Sequence, residues 1–246
     1  MILNLLQLGR VPYSEGLEVQ RRLVEARYEE RIGNTLVLLE HPPVLTLGRN
    51  ASRANILATD EFLAYRGVEV HEINRGGDVT YHGPGQLVGY PIFDLRSFTP
   101  RLGAVEYVRL MEEALIRACG DFGVKTARIP GRTGVWTMAG GSIREKKIAA
   151  IGVHIARGIT SHGFAFNVNP DLRDFDLIVP CGIADREVTS LEREADPPPA
   201  MEAVRNAVAR QFGHAFDHQV LWLESLADLL PTAEATRKPV TVNADL

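Results

Sequence analysis

The spacing of apolar and polar residues along the first hundred positions predicts one helix followed by several short strands. Between Ser14 and Arg31 apolar residues recur every three or four positions among charged ones, which predicts a surface helix that stops near Gly33. Short aliphatic or β-branched runs bounded by proline, glycine or polar residues predict four strands, at 35–40, 44–47, 68–73 and 87–93.

The second half of the chain predicts further helices and a hairpin. Thr99 and Pro100 are a helix-start signal, and the apolar positions after them follow helical spacing up to Phe122, with Cys119 on the buried face. Three more elements are predicted beyond this helix: a hairpin of strands 147–156 and 160–168, a helix over 201–212, and a helix over 221–230.

These elements predict the α/β class, with a mixed, largely antiparallel sheet flanked by helices and a small accessory sheet, because strands outnumber strand–helix–strand alternations. With 246 residues, 45% of them hydrophobic, the chain can bury one continuous core. We therefore expect a single catalytic domain over residues 1–230, followed by a polar tail over 231–246.

Composition removes several classes of function. The net charge is -4 and no long basic run occurs, so nucleic acid is not an expected partner. Cys119 and Cys181 are too few for a disulfide framework and too far apart for a closed zinc site, so we expect a reducing cytoplasm and no metal. No apolar run reaches the roughly 18 to 20 residues that span a bilayer, and no membrane association is expected.

The densest cluster of glycines lies in Arg75 to Pro91, RGGDVTYHGPGQLVGYP. Backbone amides left uncovered by glycine can form an oxyanion hole. The segment is neither a phosphate-binding loop nor a dinucleotide turn, so it predicts no nucleotide cofactor. Tight turns without a catalytic role are the alternative interpretation.

Cys181, in Ile178-Val179-Pro180-Cys181-Gly182-Ile183, is a candidate nucleophile because proline and glycine leave the sulfur little crowded. The alternative is a small buried hydrophobic residue, which is the usual role of a free cysteine and the stronger interpretation for Cys119. A nucleophilic thiol needs a base or a cation beside it. The candidates for that group are Lys147, His82, His154 and His162.

Strand alternation predicts that Lys147 shares a face with Ala149, Ile151, Val153 and Ile155, the more apolar side of its strand. A half-desolvated lysine in contact with a thiol can share a proton with it, and so serve as general base and general acid. A solvated charge at the strand entrance is the alternative.

The paired strands of the hairpin each carry a face of small residues. Ser161, Gly163, Ala165 and Asn167 alternate on one strand, and Ala150 and Gly152 supply a similar face on the other. Such a face can leave a groove whose apolar walls bind an alkyl chain. Close packing against another layer explains the same pattern.

Three segments together, RGGDVTYHGPGQLVGYP, KIAAIGVHIARGITSHGFAFNVNPDL and IVPCGI, resemble the lipoyl(octanoyl) transferase family over roughly residues 5–215. The family is related in fold to lipoate and biotin protein ligases. The resemblance implies a catalytic dyad of Cys181 and Lys147. The chain departs from the family pattern in the connector 137–146, at His154 where a basic residue such as arginine is expected, and in the tail.

The resemblance also implies the substrate contacts and the reaction. The implied contacts are Arg75, Gly76, Gly77, Asp78, Val79, Thr80, Tyr81, His82, Ala150, Ile151, Gly152, Gly163, Phe164 and Ala165. The implied reaction is transfer of an octanoyl group from acyl carrier protein, through a thioester on Cys181, to a lysine of a lipoyl-accepting domain. This is the first step of protein lipoylation and needs no cofactor.

The acceptors implied by the resemblance are the lipoyl domains of 2-oxoacid dehydrogenases and the H protein of glycine cleavage, and a monomer is expected. Two other functions remain open at this point. One is an ATP-dependent lipoate or biotin ligase on the same fold, which needs no cysteine. The other is a non-catalytic module that binds acyl carrier protein.

Overall fold

A computed structural model describes residues 1–138, 145–179 and 187–230. The strands in this part of the chain are Ile2–Arg10 (β1), Thr35–Glu40 (β2), Val44–Leu47 (β3), Glu69–Glu72 (β4), Val79–His82 (β5), Gln86–Ile92 (β6), Thr126–Ile129 (β7), Arg132–Thr137 (β8), Lys147–Ala156 (β9), Ile159–Asn167 (β10) and Gln219–Leu223 (β11). The helices are Tyr13–Tyr28 (α1), Asp60–Tyr65 (α2), Ala104–Gly120 (α3), Leu191–Glu194 (α4) and Met201–Ala215 (α5).

Eight strands form one large sheet in the order β11, β1, β2, β6, β10, β9, β8, β7. Strand β1 pairs in parallel with both β11 and β2, and the other pairs are antiparallel. The β9–β10 hairpin is confirmed, with Gly163 opposite Gly152 and Ala165 opposite Ala150. The small residues of both strands therefore share one face of the sheet.

Helices cover both faces of the large sheet. On one face, α3 and α5 bury residues such as Met111 and Phe212 against Phe164 and Phe166 of β10. On the other face, α1 buries Leu23 and neighbouring apolar residues against β2 and β6. Strand β10 contributes to both layers because successive side chains point to opposite faces of the sheet.

The accessory sheet has three strands in the order β4, β3, β5, with β3 parallel to β4 and antiparallel to β5. It packs on a third apolar cluster that includes Leu45, Tyr81 and Phe175. The predicted fold class, a mixed and largely antiparallel sheet with flanking helices and a small second sheet, is thus confirmed.

Two predicted elements are wrong. The segment 221–230 was expected to be a helix, but β11 occupies its first residues, and Ile2 to Leu6 of β1 pair with 219–223. Pairing along a sheet edge satisfies the backbone there, and this tertiary contact outweighs local spacing. Helix α3 begins at Ala104, with Gly103 as its N-cap, and not at Thr99 or Pro100.

Within the described ranges, no helix is both long enough and apolar enough to cross a bilayer. The expected tail, 231–246, lies outside the described residues. Cys119 is fully buried on α3, as predicted, and burial raises the pKa of its thiol to about 12. A thiol in this environment is inert as a nucleophile.

Candidate active site

A β-bulge places Lys147 at the site. Val135 of β8 lies opposite Ala149 of β9, and Trp136 lies opposite Lys147, so Ile148 is an extra residue in β9. Both Ile148 and Ala149 are fully buried in the core that α3 and α5 cover. One extra residue reverses the face on which the preceding side chain lies. The prediction that Lys147 shares a face with Ala149 is therefore wrong.

The bulge turns the Lys147 side chain toward a cavity of about 440 Å³. Its walls come from strands β6, β10, β9 and β8 of the large sheet and from β5 of the accessory sheet. A volume of this size lies within the range of small-molecule sites. On its way to the cavity, the Lys147 Nζ lies 4.7 Å from the centre of the Trp136 ring.

Cys181 lies outside the described residues, but the chain on both sides of it is anchored. Before it, the Val179 N–H donates to the Asn55 carbonyl at 2.8 Å. After it, the Lys147 N–H donates to the Glu187 carbonyl at 3.0 Å, and the Lys147 carbonyl accepts the Thr189 N–H at 2.9 Å. The main chain that follows Cys181 thus returns to Lys147 itself.

The glycine segment borders the cavity and is held by β3 and β9. The Arg75 guanidinium is buried and donates to the carbonyl and hydroxyl of Thr46 at 2.8 and 2.9 Å. The Gly76 N–H donates to the Val153 carbonyl at 2.9 Å, and the Gly85 N–H donates to a carboxylate oxygen of Glu40 at 2.8 Å. These two amides are occupied, so an oxyanion hole would have to draw on other amides of the segment.

The small residues of the hairpin serve both interpretations. A Cβ at Gly152 would lie 2.8 Å from the Gly76 carbonyl oxygen, and a Cβ at Gly163 would lie 2.2 Å from the Gly89 carbonyl oxygen. Close backbone packing therefore requires both glycines. Ala150 and Ala165 lie beside them and line the cavity, so the same face also supplies an apolar wall.

The histidines at the cavity are neutral. Burial, reinforced by nearby His41, lowers the pKa of His82 to about 3, and burial lowers the pKa of His162 to about 4. Neither ring carries a positive charge near pH 7, so neither can stabilise a thiolate as a cation. Of the two remaining candidates, His154 and Lys147, only Lys147 lines the cavity.

A chain of hydrogen bonds joins His82 to the Lys147 backbone. The neutral His82 ring donates from Nδ1 to Gln86 Oε1 at 2.7 Å, because the Gln86 amide nitrogen donates to Asn167 Oδ1 at 2.9 Å. The Asn167 amide donates to the Thr189 carbonyl at 2.9 Å, and the Thr189 N–H donates to Lys147. The His82 Nε2 atom is then an acceptor and cannot donate to an oxyanion.

Thirteen of the fourteen residues predicted to contact substrate line this one cavity: Arg75, Gly76, Gly77, Asp78, Val79, Thr80, His82, Ala150, Ile151, Gly152, Gly163, Phe164 and Ala165. Tyr81 is the exception. Its buried ring belongs to the cluster beneath the accessory sheet, and its hydroxyl donates to Asp174 at 2.6 Å.

Sequence reasoning did not identify several wall residues, among them Tyr13, Trp136, Asn167 and Val188. Asn167 stood on the predicted small-residue face, which was the one available signal. Trp136 and Val188 reach the cavity through the bulge and through the pairing with Lys147, which leave no periodic trace. In the part of the chain that the structure describes, no group of three or more histidine, cysteine or acidic side chains could hold a metal ion.

Comparison with known proteins places these features in a family. The family model described as the lipoyl protein ligase A/B catalytic domain matches residues 12–213. An octanoyltransferase of Acidobacterium capsulatum is 74% identical over 94% of this chain and 97% of that protein. An octanoyltransferase of Koribacter versatilis is 56% identical over 98% of this chain and 96% of that protein.

Solved structures share the fold at low identity. Lipoate-protein ligase A bound with ATP is 18% identical and superposes with a TM-score of 0.69, covering 91% of this chain and 90% of the other. A bipartite lipoate protein ligase of Thermoplasma acidophilum is 18% identical with a TM-score of 0.66, over 90% and 86% of the two chains. The shared architecture is that of ligases, whereas the closely similar sequences are those of transferases.

Proposed function

This chain belongs to the lipoyl protein ligase A/B catalytic domain family, and we propose that it transfers octanoyl groups through a thioester on Cys181 with Lys147 as the proton carrier. It is an acyltransferase of the octanoyltransferase type, since relatives of that name match it at 74% and 56% identity over almost its whole length. The residue roles, the carrier-bound donor and the lipoyl-domain acceptors are the proposed part.

The observation that carries the residue assignment is the pairing of Lys147 with the chain that follows Cys181. The backbone of Lys147 makes hydrogen bonds to Glu187 and Thr189 on that side, while its amine lines the cavity. The chain before Cys181 is fixed at Asn55, which in turn bonds to Asp78 of the glycine segment. These contacts support a thiol held between Lys147 and the glycine segment.

In the first half-reaction the Cys181 thiol gives its proton to the Lys147 amine, and the thiolate attacks the carbonyl carbon of the carrier thioester. The bond from that carbon to the carrier sulfur breaks, and the carrier thiolate takes the proton from the Lys147 ammonium. The products are octanoyl-Cys181 and free carrier thiol.

In the second half-reaction the amine of an acceptor lysine attacks octanoyl-Cys181. The bond from carbon to the Cys181 sulfur breaks, and the proton lost by the acceptor nitrogen returns to the dyad. One thioester replaces another and then becomes an amide, so neither step consumes a nucleotide. Burial of the six methylenes of an octanoyl chain contributes roughly 5 kcal/mol to binding at about 0.8 kcal/mol each.

The acyl-enzyme is tested by intact mass measurement after incubation with octanoyl-acyl carrier protein, without acceptor or ATP. The expected result is one octanoyl adduct that neutral hydroxylamine releases, that Cys181→Ser does not form as a thioester, and that Lys147→Ala forms about 10² to 10⁴ times more slowly. Absence of any adduct under turnover conditions would reject the mechanism.

The ATP-dependent ligase is the second candidate, and the likeness of fold to a ligase bound with ATP is the observation that keeps it in view. A ligase would modify a lipoyl domain from free octanoate and ATP and would survive Cys181→Ser. The transferase would do neither. The same two substrate pairs, given to the parent and to the variant, separate the two activities.

A further inference from the structure

A tryptophan lies under the amine of the proposed dyad. Trp136 is 4% exposed, and its ring centre is 4.7 Å from Lys147 Nζ. The two residues face each other across β8 and β9 because of the extra residue at Ile148. Without the bulge, Lys147 would point into the core and the ring would have no cation above it.

The position of the Trp136 ring is fixed by the strand that carries it. Two residues earlier, the Gly134 N–H donates to Glu112 Oε1 at 3.0 Å, and the Glu112 side chain is buried between Arg109 and Arg128. Gly134 has a φ of +120°, and a Cβ there would lie 2.6 Å from the Ala149 carbonyl oxygen. Strand β8 is therefore locked to α3 and to β9 directly before the tryptophan.

An aromatic face attracts a cation through its quadrupole, and indole does so more strongly than the phenyl ring. The interaction is strengthened where water is excluded, as it is for a buried ring. It acts on the ammonium form of lysine and not on the neutral amine. An ammonium beside a thiol is the form that accompanies a thiolate.

We infer that Trp136 is a positioning residue for the transfer reaction, which holds the Lys147 amine at the cavity and favours the thiolate–ammonium state of the Cys181–Lys147 dyad. The inference rests on the proposed function. Trp136 does not touch the reacting carbon, so it acts through Lys147 and not on the substrate.

Other charged groups line the same cavity and enter the interpretation. Arg75 is engaged with Thr46, Asp78 with Asn55, and Glu187 lies 3.5 Å from the Lys146 ammonium. His82 and His162 are neutral, and Arg132 belongs to the β8 wall. None of these groups is changed by a substitution at Trp136.

The test measures the reactivity of Cys181 with iodoacetamide between pH 5 and pH 10, since only the thiolate reacts. The variants are Trp136→Phe, which keeps a weaker aromatic face, and Trp136→Leu, which keeps apolar bulk alone. Peptide mapping assigns the modified cysteine. The expected midpoint for Trp136→Leu lies about 0.5 to 1 pH unit higher than for the parent, with Trp136→Phe between them.

Octanoyl-enzyme formation should slow in the same order while the KM for the octanoyl carrier stays within about twofold. Tyr28→Leu is the matched control, because it removes a second stacked cation, Arg157 at 4.0 Å, from a half-exposed ring that is not part of the cavity wall. It should leave both readouts at parental values.

Two failures are distinguishable. A parent protein that forms no octanoyl-Cys181 rejects the proposed function, whatever Trp136 does. A parent that forms the adduct, with Trp136→Phe and Trp136→Leu both folded and both showing the parental midpoint, rejects the role of Trp136 alone. If Trp136→Leu does not fold, the Trp136→Phe midpoint decides by itself.

Discussion

Asn55 donates a hydrogen bond from its side-chain amide to the carboxylate of Asp78 at 2.7 Å. The Asn55 carbonyl also accepts the N–H of Val179, two residues before Cys181. Asp78 belongs to the glycine segment, and its other oxygen accepts the Val79 N–H. One side-chain pair therefore joins the glycine segment to the chain that leads to the proposed nucleophile.

Removing this link should impair acyl transfer more than it impairs folding. Asn55→Ala deletes a part-buried hydrogen bond to a charged group, which contributes about 1.5 to 3 kcal/mol. We expect octanoyl-enzyme formation to slow about tenfold or more while the protein stays folded at 25 °C, measured by stopped mass analysis and thermal unfolding.

The matched control exchanges the two residues. In Asn55→Asp/Asp78→Asn the amide and the carboxylate change places, and the amide oxygen introduced at position 78 can still accept the Val79 N–H. The double variant should recover most of the lost rate, whereas Asn55→Asp alone should not, because it sets two carboxylates against each other. Equal rates for the single and double variants would contradict the proposed link.

Tyr81 should prove structural, although the family resemblance implied a substrate contact. Its hydroxyl donates to Asp174, which also pairs with Arg66 at 2.8 Å. Tyr81→Phe removes that bond and is expected to lower the free energy of unfolding by about 1 to 3 kcal/mol. The kcat and KM for octanoyl transfer should stay within about twofold, and a tenfold rise in KM would return Tyr81 to the binding site.

Stability should fall as the pH is lowered through a window set by three buried histidines. Burial lowers the pKa of His82 to about 3 and the pKa values of His41 and His162 to about 4, whereas an unfolded chain has histidines near 6.5. Between roughly pH 6.5 and 4 the unfolded state binds more protons. The free energy of unfolding therefore decreases on acidification, by at most about 1.4 kcal/mol per pH unit for each histidine.

Urea unfolding at pH 7.5, 6.5, 5.5 and 5.0 measures this slope above the range in which carboxylates titrate. His41 is the most informative position. Its Nδ1–H donates to the Val11 carbonyl and its Nε2 accepts from the Tyr90 hydroxyl, both at 2.6 Å. His41→Gln should be less stable at pH 7.5 but lose stability less steeply, and a slope equal to that of the parent would refute the assignment.

The length of acyl chain accepted should depend on Ala150. Its side chain lies on the cavity wall beside Gly152, so Ala150→Leu places three more carbons in the space available to substrate. We expect kcat/KM for the octanoyl donor to fall roughly fourfold for each methylene that no longer fits. A butanoyl donor serves as the internal control and should be affected less; equal losses for both donors would indicate a displaced strand.

Most of the fold could be predicted because the strands that build the site alternate regularly. The β9–β10 hairpin and its small-residue face were predicted correctly, since both strands are continuous in sequence and pair with each other. Strand β11 was not, because its pairing with β1 joins residues 219–223 to residues 2–6, a contact that no local pattern contains. Long-range pairing of this kind overrides local propensity.

The candidate site divides in the same way. The glycine segment was found from its composition, and the roles of Cys181 and Lys147 came from the family resemblance. The orientation of Lys147 was mispredicted because alternation assumes an uninterrupted ladder, and the extra residue at Ile148 becomes visible only when β8 is laid beside β9. Trp136 was missed for the same reason.

The hydrogen bonds between position 147 and residues 187 and 189 are made by main-chain atoms, and this separates the architecture of the site from its chemistry. Any residue except proline can keep both of them, so Lys147→Met or Lys147→Ala would silence the proton transfer and leave these backbone contacts intact. Such a variant is a molecular snare: it should still accept an acylated carrier but process it too slowly to let the encounter pass unobserved, which makes it the natural starting material for capturing the donor complex.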